Sequence, residues 1–308
     1  MISSRRRFLT SFSAGGLMIP TVLHSIRELS AEKKLPISCS SYNWTTFYKR
    51  QGLNWGEDLD FCFAQFRESG MTALEPSFTT PEEVKKYQPY LEKYQISMPS
   101  AYVNSVLHEE DSANESIENV LAIAENLKQS GTVILVTNPT PISWTDKIAK
   151  SDDQVMLQTE KLNYLGKKLK DMDIALAYHT HDSEMLAGAK EIHHVLQNTD
   201  PANVNFCLDA HWIFRGSQNS QIAVFDSIKM YGNRIIELHI RQSKNGTWTE
   251  TFGPGDIDYS QMSNVFEKDK IRPHLVIEQA VETGTPNTLD GIAAHQISLK
   301  QVKKIFNR

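Results

Sequence analysis

The sequence predicts a single-domain α/β fold, a parallel (β/α)8 TIM barrel, and three observations carry that expectation. Eight short β-rich runs recur along the chain, longer amphipathic stretches separate them, and acids and histidines gather where the runs end.

The strands are expected over residues 37–40, 73–76, 98–102, 133–137, 174–179, 204–209, 235–240 and 274–278. Leu59, Cys62, Phe63 and Phe66 stand at i, i+3, i+4 and i+7, one face of a helix over 59–69. Ile117, Val120, Leu121, Ala124 and Leu127 do the same over 116–130, with N-cap residues expected within 111–116. Helical patterns continue over 155–170, 189–197 and 221–231. This alternation favours one closed barrel, residues 35–308, over an open sheet. A doubly wound dinucleotide fold would need a glycine fingerprint after its first strand, and residues 39–44 hold none. No linker or internal repeat divides the chain.

A length of 308 residues, 40% of them hydrophobic, is ample for one large core. A net charge of -5 lacks the basic footprint of a nucleic-acid binder, so no such partner is expected. Residues 1–31 read as an export signal. Arg5, Arg6 and Arg7 precede Phe8-Leu9, and Ser13, Gly15 and Gly16 interrupt the weakly apolar run that follows, which fits the twin-arginine type. Cleavage near Ser30-Ala31 would leave a periplasmic protein with no stable membrane insertion, since no later stretch approaches the roughly 20 apolar residues of a spanning helix. Cys39, Cys62 and Cys207 lack CxxC spacing and read as small buried hydrophobes.

In such a barrel, functional groups sit at the C-terminal strand ends. The second run ends in Glu75 and the third in Tyr102. The fifth leads into His179-Thr180-His181-Asp182-Ser183-Glu184, and the sixth ends in Asp209 before His211-Trp212. The seventh carries His239 and Arg241, and the eighth ends in Glu278. Asp209 and Glu278 follow strongly apolar runs, where a carboxylate is costly unless paired, hydrogen-bonded or metal-bound. A lone strand-end histidine is more often a satisfied polar group than a ligand. Two carboxylates and two imidazoles converging on one mouth instead predict one divalent metal. The mixed N/O set favours manganese, zinc, cobalt or iron and admits magnesium. His179 and His181, at i and i+2, share a face, so one suits the metal and the other a sugar hydroxyl. Tyr42, Trp44, Tyr102 and Trp212 are placed to stack on a sugar ring.

Through Tyr178–Glu184, Leu208–Trp212, Glu237–Gln242, Gly253–Tyr259 and Val276–Gln279, the chain from about residue 35 to its end resembles the xylose-isomerase-like family of sugar phosphate isomerases and epimerases, in its exported branch. The resemblance implies that His179, Asp209, His239 and Glu278 hold the metal. Two departures qualify it. Many members that epimerise free ketoses carry a glutamate where this chain has His179, so a two-base epimerisation would need Glu184 or Glu75 as a substitute. Arg241-Gln242 stands where many relatives have lysine and aspartate. Glu278 and Glu184 are the expected proton carriers, with His181, His211, Arg241, Glu75, Trp212 and Tyr102 as substrate contacts.

The expected activity is metal-dependent isomerisation or epimerisation of a small-molecule sugar, by proton abstraction next to a carbonyl with a metal-stabilised enediolate. Elimination by a lyase or dehydratase acting on a keto-sugar or glycoside is the alternative. A non-catalytic periplasmic sugar-binding protein is the reading from another class, and such proteins are usually two-lobed. Substrate identity and homo-oligomerisation stay open.

Overall fold

The computed structural model describes residues 35–307, so the predicted export signal lies outside the described residues. Eight parallel strands form the barrel wall: β1 Ser38–Ser40, β2 Leu74–Glu75, β3 Ser100–Tyr102, β4 Ile134–Thr137, β5 Ala175–His179, β6 Val204–Asp209, β7 Ile235–Ile240 and β10 His274–Ile277. Their order is β2-β1-β10-β7-β6-β5-β4-β3. The end strands meet through the parallel bridges Ala73–Ser97 and Ser77–Tyr102, which nearly close the wall. An antiparallel hairpin, β8 Ser243–Lys244 and β9 Thr247–Trp248, rises after β7. It turns at Asn245-Gly246, both at positive φ, as a two-residue hairpin turn requires.

Ten α-helices occur among the described residues: α1 Ser41–Arg50, α2 Leu59–Glu68, α3 Pro81–Tyr94, α4 Glu110–Gln129, α5 Asp152–Lys170, α6 Leu186–Asn198, α7 Ala210–Gly216, α8 Gln221–Tyr231, α9 Tyr259–Lys268 and α10 Gly291–Ile305. The α4 helix starts six residues before the expected 116. Glu110 and Asp111 fill its first turn, where they complement the helix dipole, and Ala113 already faces the core. The first turn of α6 is interrupted by left-handed backbone at Ala187, Gly188 and Ala189, so regular helix follows only there. Pro81 begins α3, and Glu83 reaches back to the Thr79 and Thr80 amides at 2.6 and 3.2 Å.

Strand alternation decides what faces where. Leu176, Tyr178, Phe206, Leu208, Leu238 and Ile240 pack outward against the helices in the main apolar core. Ile134, Val136, Ala177 and Cys207 form a small separate cluster inside the barrel. His179, Asp209, His239 and Glu278 share the inward parity of that cluster, each an even number of residues along its chain segment from Ala177, Cys207, Glu237 and His274. The three cysteines are free and buried, as expected.

Candidate functional site

One ligand atom each from His179, Asp209, His239 and Glu278 lies within 4.8 Å of the others, and all four residues are buried. His179 Nε2 stands 3.6 Å from Asp209 Oδ2. Neither atom has a hydrogen-bond partner. The other Asp209 oxygen caps α7, accepting from the His211 and Trp212 amides at 2.9 Å. Capping thus locks the carboxylate so that Oδ2 turns into the barrel. Burial, aided by the nearby His181 and His239, pushes His179 down to about 3, with Asp209 opposing. At neutral pH the ring is therefore neutral and offers a lone pair.

His239 joins two groups. Its Nδ1 is 3.1 Å from Glu278 Oε2 on the mouth side. Its Nε2 is 3.2 Å from Glu237 Oε1 and 3.1 Å from Glu75 Oε1. Glu237 also takes His274 Nδ1 at 2.7 Å, His274 Nε2 meets Ser38 Oγ at 3.0 Å, and Ser100 Oγ donates to Glu75 at 2.7 Å. Burial would raise Glu237, but its hydrogen bonds from His239 and His274 outweigh that and hold it below the usual carboxylate range. Glu75 moves the other way, raised by burial and by the Glu237 charge. Glu75, expected among the substrate contacts, is instead placed in this interior group and is 1% exposed. Glu75, Glu237 and His239 form a second close set of potential ligands.

Arg241 covers Glu278. Its Nη2 is 2.9 Å from Glu278 Oε2, and its Nε donates to the Glu278 carbonyl at 2.8 Å. Burial opposes the Glu278 charge, yet Arg241 and His239 hold its carboxyl below the usual range. The guanidinium lies over Trp248 at 4.2 Å and Trp212 at 5.1 Å. Arg215 lies over Trp248 too, at 4.9 Å, and is paired with Glu282 at 2.8 Å. Glu282 in turn accepts from the Trp248 amide, which fastens the hairpin over the mouth. His211 Nδ1 accepts from Trp248 Nε1 at 3.3 Å. Burial lowers His181 to about 4 and His211 to about 3. The Tyr102 hydroxyl is 3.4 Å from His179 Nδ1, and Trp212 packs on His181.

Glu184 stands apart from these groups. Its oxygens take Asn138 Nδ2 at 2.9 Å, the His181 amide at 2.7 Å and Ser183 Oγ at 2.9 Å, and it is 0% exposed. Its carboxylate ties the loop after β5 to Asn138. Sequence reasoning missed Glu237, His274, Asn138, Arg215, Trp248 and the exposed Trp144, whose ring meets His181 edge-on at 5.2 Å. One cavity, about 690 Å³, contains none of the four clustered residues; its lining includes Leu35, Arg272 and the first residue of β10, at the opposite end of the barrel.

Among the described residues, no helix is long and apolar enough to cross a membrane. The model of the xylose isomerase-like TIM barrel family matches residues 63–301. Inosose dehydratases of Clostridium perfringens and Clostridium tetani are 22% and 23% identical over 262 residues, covering 74% of this chain and 84% of each relative. Among solved structures, a sugar phosphate isomerase/epimerase from Parabacteroides distasonis superposes with a TM-score of 0.67 at 18% identity, covering 88% of this chain and 93% of that one. A D-allulose 3-epimerase from Methylomonas sp., in complex with D-allulose, gives 0.68 at 14% over 88% and 96%. A xylose isomerase-like TIM barrel protein from Mycobacterium smegmatis, in complex with magnesium, gives 0.65 at 12% over 88% and 97%.

Proposed function

Because the chain belongs to the xylose isomerase-like TIM barrel family, we propose that it is a divalent-metal-dependent enzyme moving a proton next to the carbonyl of a sugar, as an isomerase or epimerase. The observation that carries this is the convergence of His179 Nε2 and Asp209 Oδ2, buried and unpartnered, on a group completed by His239 and Glu278. A buried polar atom left unpaired costs about 1–3 kcal/mol. A cation satisfies both, and the neutral imidazole beside two carboxylates suits manganese, zinc, cobalt or iron, with magnesium admitted. When bound, such a cation supplies Lewis acidity to the substrate carbonyl.

The remaining work falls to the side chains. Glu278 keeps more exposure than the other three, 8% against 0–1%, and is assigned as the proton carrier. Arg241 Nη1, His181 Nδ1 and His211 Nε2 have no partner within the protein and are assigned to substrate oxygens. Tyr102 and Trp212 wall the ring. A second reading, elimination from a keto-sugar or cyclitol, has its own support. The inosose dehydratase relatives favour it, and hydrogen bonds already engage both oxygens of Glu184, the carboxylate that a two-base epimerisation would need beside Glu278. We also propose twin-arginine export to the periplasm, tested by fusing residues 1–31 to a reporter in a strain lacking that pathway.

Metal content by plasma mass spectrometry, on wild type, His179→Ala and Asp209→Ala, tests the centre. Bound metal in the wild type, lost from both variants, is expected. Keto-sugars and inosose are then followed by NMR in D2O, where deuterium on carbon without loss of a hydroxyl marks isomerisation and loss of a hydroxyl marks elimination. No metal under any loading condition overturns both readings.

A further inference from the structure

A second cavity, about 400 Å³, lies beside the mouth on the β1–β2 side. Its position follows from the chain path. Ser41 and Tyr42 come directly after β1, and Ser77 and Phe78 directly after β2, so it opens at the same barrel end as the clustered residues. That volume is within the range of about 300–1,000 Å³ usual for small-molecule sites.

The lining is aromatic with a hydroxyl rim and one residue of each charge, Lys86 and Glu83, the latter already bonded to the Thr79 and Thr80 amides. Trp55 Nε1 donates to the Tyr87 hydroxyl at 3.0 Å, and Tyr87 packs edge-on against Phe78 at 5.1 Å, so the rings are held in place before any ligand arrives. Tyr42, 42% exposed, stands between this cavity and the mouth. Burial lifts its phenol above the ordinary value, and Arg241 and Glu278 act on it from the mouth side. Ser41, Thr45 and Ser77 supply hydroxyls at the cavity wall. Another part of the mouth is occupied by Trp212, Trp248 and the Arg215–Glu282 pair. A substrate longer than one ring therefore has room on the Tyr42 side.

We propose that this cavity is a subsite for a second, uncharged sugar ring, so that the preferred substrate is a glycoside or disaccharide carrying the reacting ketose at one end. Rigid aromatic faces match the C–H faces of a pyranose, and the hydroxyls meet its edge. The inference rests on the proposed sugar chemistry at the mouth.

The test compares D-fructose with isomaltulose, which is a fructose bearing a second hexose ring. Binding to the metal-loaded chain is read by tryptophan fluorescence and saturation-transfer NMR. Isomaltulose is expected to bind about tenfold tighter, a gain of about 1.4 kcal/mol. Two variants, Thr45→Trp and Ser77→Trp, each fill the cavity from a different element. Both are expected to bring isomaltulose to the fructose affinity while fructose binding stays unchanged. Equal binding of the two sugars by wild type overturns the subsite and leaves the mouth chemistry standing. Persistence of the preference in both variants overturns it as well. Failure of wild type to bind either sugar overturns the sugar reading and the subsite together.

Discussion

The mouth of the barrel and the layer beneath it use the same residue types and differ in how far those residues satisfy one another. Beneath, Glu237 accepts hydrogen bonds from His239 and His274, His274 meets Ser38, Ser100 donates to Glu75, and one atom alone, Glu75 Oε1, makes no hydrogen bond, although it rests 3.1 Å from His239 Nε2. At the mouth, His179 Nε2, Asp209 Oδ2, His181 Nδ1, His211 Nε2 and Arg241 Nη1 have no partner. His239 stands between, with one nitrogen in each region. A buried network that closes on itself orders its members. One that stops short is completed by whatever binds there. On this contrast the lower layer holds His239 in one ring orientation, and the mouth uses the nitrogen left over. The same division separates changes that should harm stability from changes that should harm function.

The largest expected effect is in the lower layer. His274→Leu leaves the buried Glu237 carboxylate without its 2.7 Å partner, and breaking such a pair typically costs about 3–5 kcal/mol. Urea unfolding of the metal-free protein measures it. By contrast, His181→Ala at the half-buried mouth should leave the unfolding midpoint within about 0.5 kcal/mol and reduce turnover. If the two variants unfold alike, the contrast between the layers does not hold.

The next effect is smaller and links the layers. Glu237→Gln keeps the shape of the side chain but weakens the hold on His239 Nε2. A carboxylate behind a ligand histidine is typically worth about 10–100-fold in metal affinity. Competition against a chelating dye reads that directly, without any turnover assay. Unchanged affinity would reduce the lower layer to packing alone.

Much of this was legible in the sequence, and what was not has physical reasons. Strands β6 and β7 fall on the expected residues because buried parallel strands read as nearly continuous apolar runs. The four clustered residues were readable because each closes such a run or lies in one. Glu237 was not, since a single acid inside an apolar strand looks like an interruption. Its signal was the i, i+2 relation to His239, which puts both on one face. Glu75 and Glu184 were named at the right places and given the wrong surroundings. Whether a strand-end carboxylate turns to the mouth or to a neighbour is decided by Ser100 and Asn138, on other strands and loops. Helices α1 and α7 begin at once after their strands, with Ser40 and Asp209 as caps, so they read as polar loop. Trp248 reaches Arg241 only through a hairpin whose seat on Glu282 spans 34 residues of sequence.

The smallest effect at neutral pH comes from His295, which sharpens the contrast because it too has an unpartnered buried nitrogen, Nε2, but lies outside the mouth motifs. It stacks on Trp44 at 4.6 Å, and its Nδ1 lies against the Gly291 carbonyl. One orphaned atom against a tryptophan face makes no site; convergence of several does. Burial lowers this imidazole to about 4, partly opposed by the Gly291 carbonyl, with no charged side chain contributing. Its contribution to stability is therefore complete above the unfolded value near 6.5 and is lost as pH falls from there towards about 4, at up to about 1.4 kcal/mol per pH unit. His295→Phe should show a melting temperature close to wild type at pH 7.5 and a higher one at pH 4.5, both measured without metal. A gap between the two proteins that does not widen on acidification would mean that His295 is charged in the fold, and that a buried orphan nitrogen outside the mouth is being satisfied by means other than neutrality.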